Sequence, residues 1–401
     1  MRLKDVTEFC PAYTGAARND AVAFVPMEAL RYDSIAQQEI PFEEARGKYT
    51  FFADGDLLFA KVTPCFENGN IAVATNLKGG IGFGSSEIFV LRAKPGLNNR
   101  YLFYVVQASP FMDGGCATMC GVGGLKRMSP LFPRTFEWEI PSVESQRKIV
   151  AYLDEKSAAI DARVAVLEKK LAAYKRLKAS VINRAVTRGL DPKAKLKDSG
   201  VDWIGKVPVG WEVKRFKDIA TIKANLVAPD GYMDYPQIAP ENIEKGTGKL
   251  LAYGTVSESG IISGNHLFKR GQIIYSKIRP ILNKLVVADF DGLCSADMYP
   301  IDVLGNLRFV FYQMLSPLFV NQVAAIVGMR VKMPKINQEE LSAIGMVIPP
   351  LPEQRAIADY LDAECAKIDK MAELVTREIE LYKKLKRSLI NEVVTGKRKV
   401  G

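Results

Sequence analysis

One stretch of this chain occurs twice. Ile140-Pro-Ser-Val-Glu-Ser-Gln-Arg-Lys-Ile-Val-Ala-Tyr-Leu-Asp returns as Ile348-Pro-Pro-Leu-Pro-Glu-Gln-Arg-Ala-Ile-Ala-Asp-Tyr-Leu-Asp, and the match runs without a gap to Thr187 and Thr395. Roughly 20 identities fall within about 48 paired positions, far more than unrelated helices share. The chain must therefore fold as two copies of one unit, and any architecture assigned to one half has to be open to the other.

The period of the repeat says what it folds into. Apolar positions recur at Leu153, Ile160, Val164, Leu167, Leu171, Tyr174 and Val181, and again at Leu361, Ile368, Ala372, Val375, Ile379, Tyr382 and Leu389. Steps of three, four and seven make the a/d stripe of a coiled-coil helix. Each stripe carries one lysine at an equivalent core position, Lys178 and Lys386. A charge there weakens a helix pair but fixes its register, so its double occurrence points to these two helices packing on each other. The bland alternative is two amphipathic helices, each packed on its own globular part.

Composition sets the class. With 401 residues, 48% hydrophobic and 25% charged, the chain has room for two globular domains and their connectors. No apolar run approaches the roughly 18 residues that span a bilayer, and Met1-Arg-Leu-Lys-Asp is not a secretory signal, so the expected location is cytoplasmic. The six cysteines and the single histidine, His266, do not fall at metal-ligand spacing, and buried reduced thiols are expected. A net charge of +10 calls for an acidic partner, of which nucleic acid is the commonest.

The globular parts repeat more faintly. Arg2-Leu-Lys-Asp-Val resembles Arg215-Phe-Lys-Asp-Ile, and Gly55-Asp-Leu-Leu-Phe-Ala-Lys-Val-Thr-Pro resembles Gly271-Gln-Ile-Ile-Tyr-Ser-Lys-Ile-Arg-Pro. Ser85-Ser-Glu-Ile-Phe echoes Ser295-Ala-Asp-Met-Tyr, and Lys126-Arg-Met-Ser echoes Val331-Lys-Met-Pro. Strands are expected at Asp56–Val62 and Ile88–Leu91 and a helix from Arg100, while the glycine clusters at Gly79–Gly84 and Gly121–Gly124 read as loops. The expected fold is an α+β chain with a pseudo-two-fold internal repeat: two mixed α/β domains separated by two long antiparallel coiled-coil helices. Its divisions are a first domain at 1–141, a long helix at 142–189, a connector at 190–210, a second domain at 211–347, a second long helix at 348–397 and a basic tail at 398–401. Helices of about 45 residues span on the order of 65 Å. Paired antiparallel, they would hold two dissimilar readers on one DNA duplex with a fixed unread gap between.

At this point the strings Ile348-Pro-Pro-Leu-Pro-Glu-Gln-Arg-Ala-Ile-Ala-Asp-Tyr-Leu-Asp and Asp198-Ser-Gly-Val-Asp-Trp-Ile-Gly-Lys-Val-Pro-Val-Gly-Trp-Glu-Val-Lys-Arg-Phe-Lys-Asp-Ile resemble the hallmark segments of specificity (S) subunits of type I restriction-modification systems. The resemblance spans both helical segments, the connector and the framework of both globular parts. It implies two target recognition domains, each reading half of a bipartite asymmetric site in double-stranded DNA. It also implies helices that dock modification (methyltransferase) subunits, two of them, which recruit the restriction subunits. This sequence departs from the pattern in having no counterpart of Trp203–Trp211 ahead of Arg2, and in opening its first helix with Ser142-Val-Glu-Ser.

Candidate DNA contacts are Lys61 and Lys277, each just ahead of a proline turn, with Arg279 in the second turn. Lys126, Arg127, Arg330 and Lys332 join them from the loops near each domain's end. Leu153, Ile160, Leu167, Tyr174 and Lys178 are expected to pair with Leu361, Ile368, Val375, Tyr382 and Lys386. No methyltransferase string, phosphate loop or metal cluster stands in the sequence, so catalysis is assigned to another subunit and no cofactor is expected. Gly80-Ile-Gly-Phe-Gly reads as a strand-connecting turn rather than a nucleotide loop. The rival from another class is a coiled-coil scaffold that binds proteins and no DNA.

Overall fold

The computed structural model describes residues 1–15, 20–330 and 332–400; Val331, which opens one of the weakly matched strings, and Gly401 of the tail lie outside the described residues. The chain packs as two compact units, Met1–Glu168 with Arg377–Gly401, and Lys169–Thr376. The unit boundaries fall inside the long helices, so each unit holds one globular part together with portions of both helices.

The first globular part is built on an antiparallel sheet in the strand order 7–9, 88–93, 57–60, 71–73. Leu57 to Ala60 are buried without interruption, as a central strand covered on both faces must be. On one face Phe59 meets Phe111 of the helix Ser109–Ala117, ring centroids 5.8 Å apart. On the other, Leu58 and Val90 pack with Val25 and Phe52 of a second sheet. That sheet runs 38–41, 21–25, 81–84, 50–53, with 21–25 and 81–84 parallel.

Here the sequence expectation of a turn at Gly80–Gly84 is corrected. Ile81–Gly84 is an internal strand of the sheet. Its glycines serve packing: a Cβ on Gly82 would lie 2.5 Å from the Phe52 ring, so the aromatic occupies the space a side chain would need. Periodicity could not reveal this, because the signal lies on the neighbouring strand.

The second globular part repeats the first. Its main sheet runs 220–222, 298–303, 273–276, 285–287, all antiparallel. Its second sheet runs 254–255, 236–238, 292–294, 265–268, with 226–227 added at the edge, and again one pair, 236–238 with 292–294, is parallel. Gly292 lies under Phe268 at the same 2.5 Å. The likeness of the second sheets was carried by no residue string.

The long helices are Val143–Arg188 and Leu351–Val394. The second is shorter than the expected 348–397, because Ile348 closes the strand Gly345–Ile348 and Pro349-Pro350 separates strand from helix. Gly189 ends the first with φ +73° and donates its N–H to the Ala185 carbonyl. In the connector, Leu196–Asp198 pairs with Lys206–Pro208, Trp211 is buried and Trp203 stays half exposed. All six thiols are free, but only Cys294 and Cys365 are buried; Cys116 and Cys120 are exposed, contrary to expectation.

Candidate nucleic-acid interface

Each globular part is rooted on the helix that follows it by one set of polar contacts, present twice. In the first unit Asp154 accepts from Arg100 Nε at 2.8 Å and from the Tyr104 hydroxyl at 2.6 Å. In the second, Asp362 accepts from Arg308 Nε at 3.2 Å and Tyr312 at 2.6 Å. Burial pushes the Asp362 carboxyl up, but the hydrogen bonds from Arg308 and Tyr312 outweigh it and hold the group below the usual aspartate range. Gln146 accepts from the Asn98 N–H and donates to the Pro141 carbonyl; Gln354 does the same with Asn306 and Pro349. Charge-assisted bonds at this half-exposed junction fix the angle at which each globular part leaves its helix.

The loops carrying the candidate contacts are crossed by backbone hydrogen bonds. In the first unit the Thr63 N–H donates to the Lys126 carbonyl at 2.9 Å, the Lys126 N–H donates to Thr63 Oγ1 at 2.8 Å, and the Met128 N–H donates to the Lys61 carbonyl at 2.7 Å. Lys61, Lys126 and Arg127 are thereby brought together. The Lys61 ammonium stands over the Phe89 ring at 5.2 Å. Arg127 forks onto Glu87 with Nε and Nη2 at 3.0 and 2.9 Å, and its hydrogen bonds hold the Glu87 carboxyl below the ordinary range. Lys126 is exposed.

In the second unit Lys277 stands over Tyr299, also at 5.2 Å. The Arg279 N–H donates to the Pro334 carbonyl at 2.8 Å and the Ile336 N–H to the Lys277 carbonyl at 3.0 Å. This register corrects the string match: Lys126-Arg127-Met128 corresponds to Pro334-Lys335-Ile336, not to residues around Lys332. Lys335, which the sequence reading missed, is the counterpart of Arg127, and it pairs with Asp297 at 3.0 Å as Arg127 pairs with Glu87. The signal was present in the match of Glu87 to Asp297, since each acid needs a base across the loop. Arg330 is engaged elsewhere, with Glu340 and the Lys335 carbonyl, and its hydrogen bonds lower the Glu340 carboxyl. Lys332 is exposed, with φ +61°, and Arg279 is exposed, with φ +43°.

Beside Lys61 an open cleft of about 480 Å³ is walled by Tyr13, Tyr49, Phe51 and Phe89, with Arg46 as a second cation. Cations over aromatic faces, at the junction of two sheets, suit a polyanion that also presents flat rings. Arg46 and the cleft were invisible in sequence, because strands far apart in the chain build it.

The helix stripes meet within each unit. Lys178 Nζ lies 2.8 Å from Asp369 in one unit, and Lys386 Nζ lies 2.6 Å from Asp161 in the other. Exchanging each residue for its repeat counterpart turns one pair into the other, which only an antiparallel pairing allows. Leu153, Leu167, Leu361, Val375, Ile160 and Ile368 are buried, while Tyr174 and Tyr382 are half-buried. Arg163 adds a pair with Glu378 at 3.0 Å.

Known proteins resemble this chain in sequence and in fold. Residues 208–380 match the family of the type I restriction modification DNA specificity domain. The chain is 34% identical over 272 residues to the type I restriction enzyme EcoDI specificity subunit of Escherichia coli, covering 64% of this chain and 61% of that protein, so it spans under two thirds of that relative. It is 24% identical over 284 residues to the MjaVIII specificity subunit of Methanocaldococcus jannaschii, covering 65% of this chain and 62% of that one. A chain from a solved structure described as the structural basis underlying complex assembly and conformational transition of the type I R-M system shares the fold, with a TM-score of 0.72 at 16% identity, covering 99% of this chain and 97% of the other.

Proposed function

We propose that this chain, which is similar to the type I restriction-modification specificity subunits, is the sequence-reading, non-catalytic member of such a complex. Each globular part reads one half of a bipartite, asymmetric site in double-stranded DNA. The paired helices set the unread gap and dock two methyltransferase subunits, through which restriction subunits join. Among the described residues no single helix is long and apolar enough to cross a membrane, and we place the assembly in the cytoplasm.

What supports the reading is the pairing of sameness and difference in the repeat. The roots Arg100–Asp154 and Arg308–Asp362 coincide, as do the basic loop crossings at Lys61 and Lys277, while the edges around them differ in length and chemistry. Two readers of one design with different surfaces suit a target whose halves differ. Lys61, Lys126, Lys277, Arg279 and Lys332 are proposed as phosphate or base contacts, with Arg46 added. Arg127, Lys335 and Arg330 shape the loops through their internal ion pairs.

The test is exchange of residues 1–139 for another recognition domain, with methylation-site sequencing as readout. One half-site should change and the other half and the gap should persist; change in both halves, or in neither, refutes the assignment. Mobility shifts of the complex with its partner subunits should weaken steeply with salt. Duplex DNA left unbound in that experiment would favour the protein-binding scaffold instead.

A further inference from the structure

The most exposed large apolar side chains among the described residues are Met329 at 97%, Ile262 at 94% and Val122 at 90%. An aliphatic group standing alone on a surface is ordinary. Val122 and Met329, however, hold the same place in the two copies. Gly121-Val122 follows Ser109-Pro110 at the spacing with which Gly328-Met329 follows Ser316-Pro317, each just past the helix opened there, Ser109–Ala117 or Pro317–Val327. The residues next in line are unlike, Gly123-Gly124 in one copy and Arg330 in the other. A naked aliphatic tip is thus what these two loops keep in common.

Each tip is held in place by its neighbours. In the first unit Cys120 and Arg127 exchange backbone hydrogen bonds, and the Leu125 N–H donates to the Val122 carbonyl at 3.3 Å. Gly123 and Gly124 turn the chain between them at φ +64° and +80°, a pair of left-handed residues that only glycine adopts freely. Thr63 Oγ1 donates to the Gly124 carbonyl at 3.0 Å, which ties the tip beside the crossing of Lys61 and Lys126. In the second unit the Arg330 N–H donates to the Val327 carbonyl at 3.0 Å, and its guanidinium engages Glu340 and the Lys335 carbonyl. Both tips have an exposed lysine close by in the chain, Lys126 in one and Lys332 in the other.

We propose that Val122 and Met329 are base-reading groups, each covering the 5-methyl group of a thymine in the major groove of the DNA target. The inference rests on the reading of DNA by these loops proposed above and names what they recognise there. Neither side chain can donate a hydrogen bond, and valine cannot accept one, so a task common to both is apolar recognition. The thymine methyl is the only methyl group that the base pairs present in the major groove. The other apolar mode, a wedge driven between stacked bases, uses longer or flat side chains, and Val122, branched at Cβ, is too short for it. A protein-docking face would call for a contiguous apolar patch, whereas glycines flank Val122, and Gly328 and Arg330 flank Met329. The lysines beside the tips supply the phosphate contacts that hold such a reader in register.

The test titrates the assembled complex, with its partner subunits, on duplexes carrying the site that methylation sequencing defines. Each thymine is replaced in turn by uracil, which lacks only the 5-methyl group. At one position in each half-site affinity should fall by about threefold to fivefold, the effect of leaving one methyl uncovered. Val122→Ser should remove that sensitivity in one half-site and spare the other, and Met329→Ser should do the reverse. Both variants should melt as the parent does, because the side chains they shorten already lie in water. A complex that neither binds nor methylates any duplex refutes the DNA reading itself, and this inference with it. Binding that no uracil weakens, or a uracil effect that survives both serine variants, overturns this assignment alone. So does a 2-aminopurine signal of unstacking that Val122→Ser abolishes without any uracil effect, which would mark a wedge instead.

Discussion

Replacing Asp369 with alanine removes the partner of a lysine that the helix pair keeps largely out of water. The Lys178 side chain is 15% exposed and Asp369 29%, with Lys249 a further 4.0 Å from the same carboxylate. Breaking a fully buried pair by deleting one member costs about 3–5 kcal/mol, because the other charge is left uncompensated. Partial exposure reduces that here to about 2 kcal/mol for Asp369→Ala. Asp161 is 56% exposed opposite Lys386, so Asp161→Ala should cost less, about 1 kcal/mol. Lys178→Met retains the packed stem and removes the charge that needed a partner, so it should cost less than Asp369→Ala, at most about 1 kcal/mol. Urea denaturation of the two single variants and the double variant gives the coupling, expected at about 1–2 kcal/mol. For units of this size Asp369→Ala should lower Tm by about 4–8 °C. The reasoning is refuted if Lys178→Met destabilises as much as Asp369→Ala, since attraction between the charges, rather than the cost of a stranded ammonium, would then dominate.

Gly82→Ala and Gly292→Ala should each destabilise by about 1–3 kcal/mol in urea titrations through clash with Phe52 and Phe268. Gly292→Ala should be the worse, because its Cβ also falls 2.7 Å from the Pro236 carbonyl, which cannot swing aside. Asp362 has a folded pKa below its unfolded value of about 3.9, so its contribution is present above that pH and is lost as pH falls through the folded value. Asp362→Asn should therefore flatten the loss of urea midpoint below about pH 4, and an unchanged acid limb would contradict this. Lys61→Gln should weaken DNA binding of the assembled complex across sequences and reduce the slope against log salt by about 1, measured by titration at several salt concentrations; an unaltered slope would remove Lys61 from the phosphate contacts.

Much of the architecture was written in the chain. The seven-residue stripes from Leu153 and Leu361, with Lys178 and Lys386 at matching places, are local periodic signals, and a repeat carries its own control. The central strands at Leu57 and Ile273 were readable for the same reason, as buried apolar runs that the two copies share. What only the folded molecule decided depends on residues far apart in sequence. The register that makes Lys335 the counterpart of Arg127 is set by backbone hydrogen bonds from Met128 and Ile336 to Lys61 and Lys277, not by resemblance of strings. The strand at Gly82 exists because Phe52 fills the space above it. The aspartates that receive the two core lysines, Asp369 and Asp161, are fixed by the antiparallel approach of helices whose paired segments lie some two hundred residues apart. Local periodicity specifies which face of an element is apolar; which partner meets that face is settled by the packing of the whole unit.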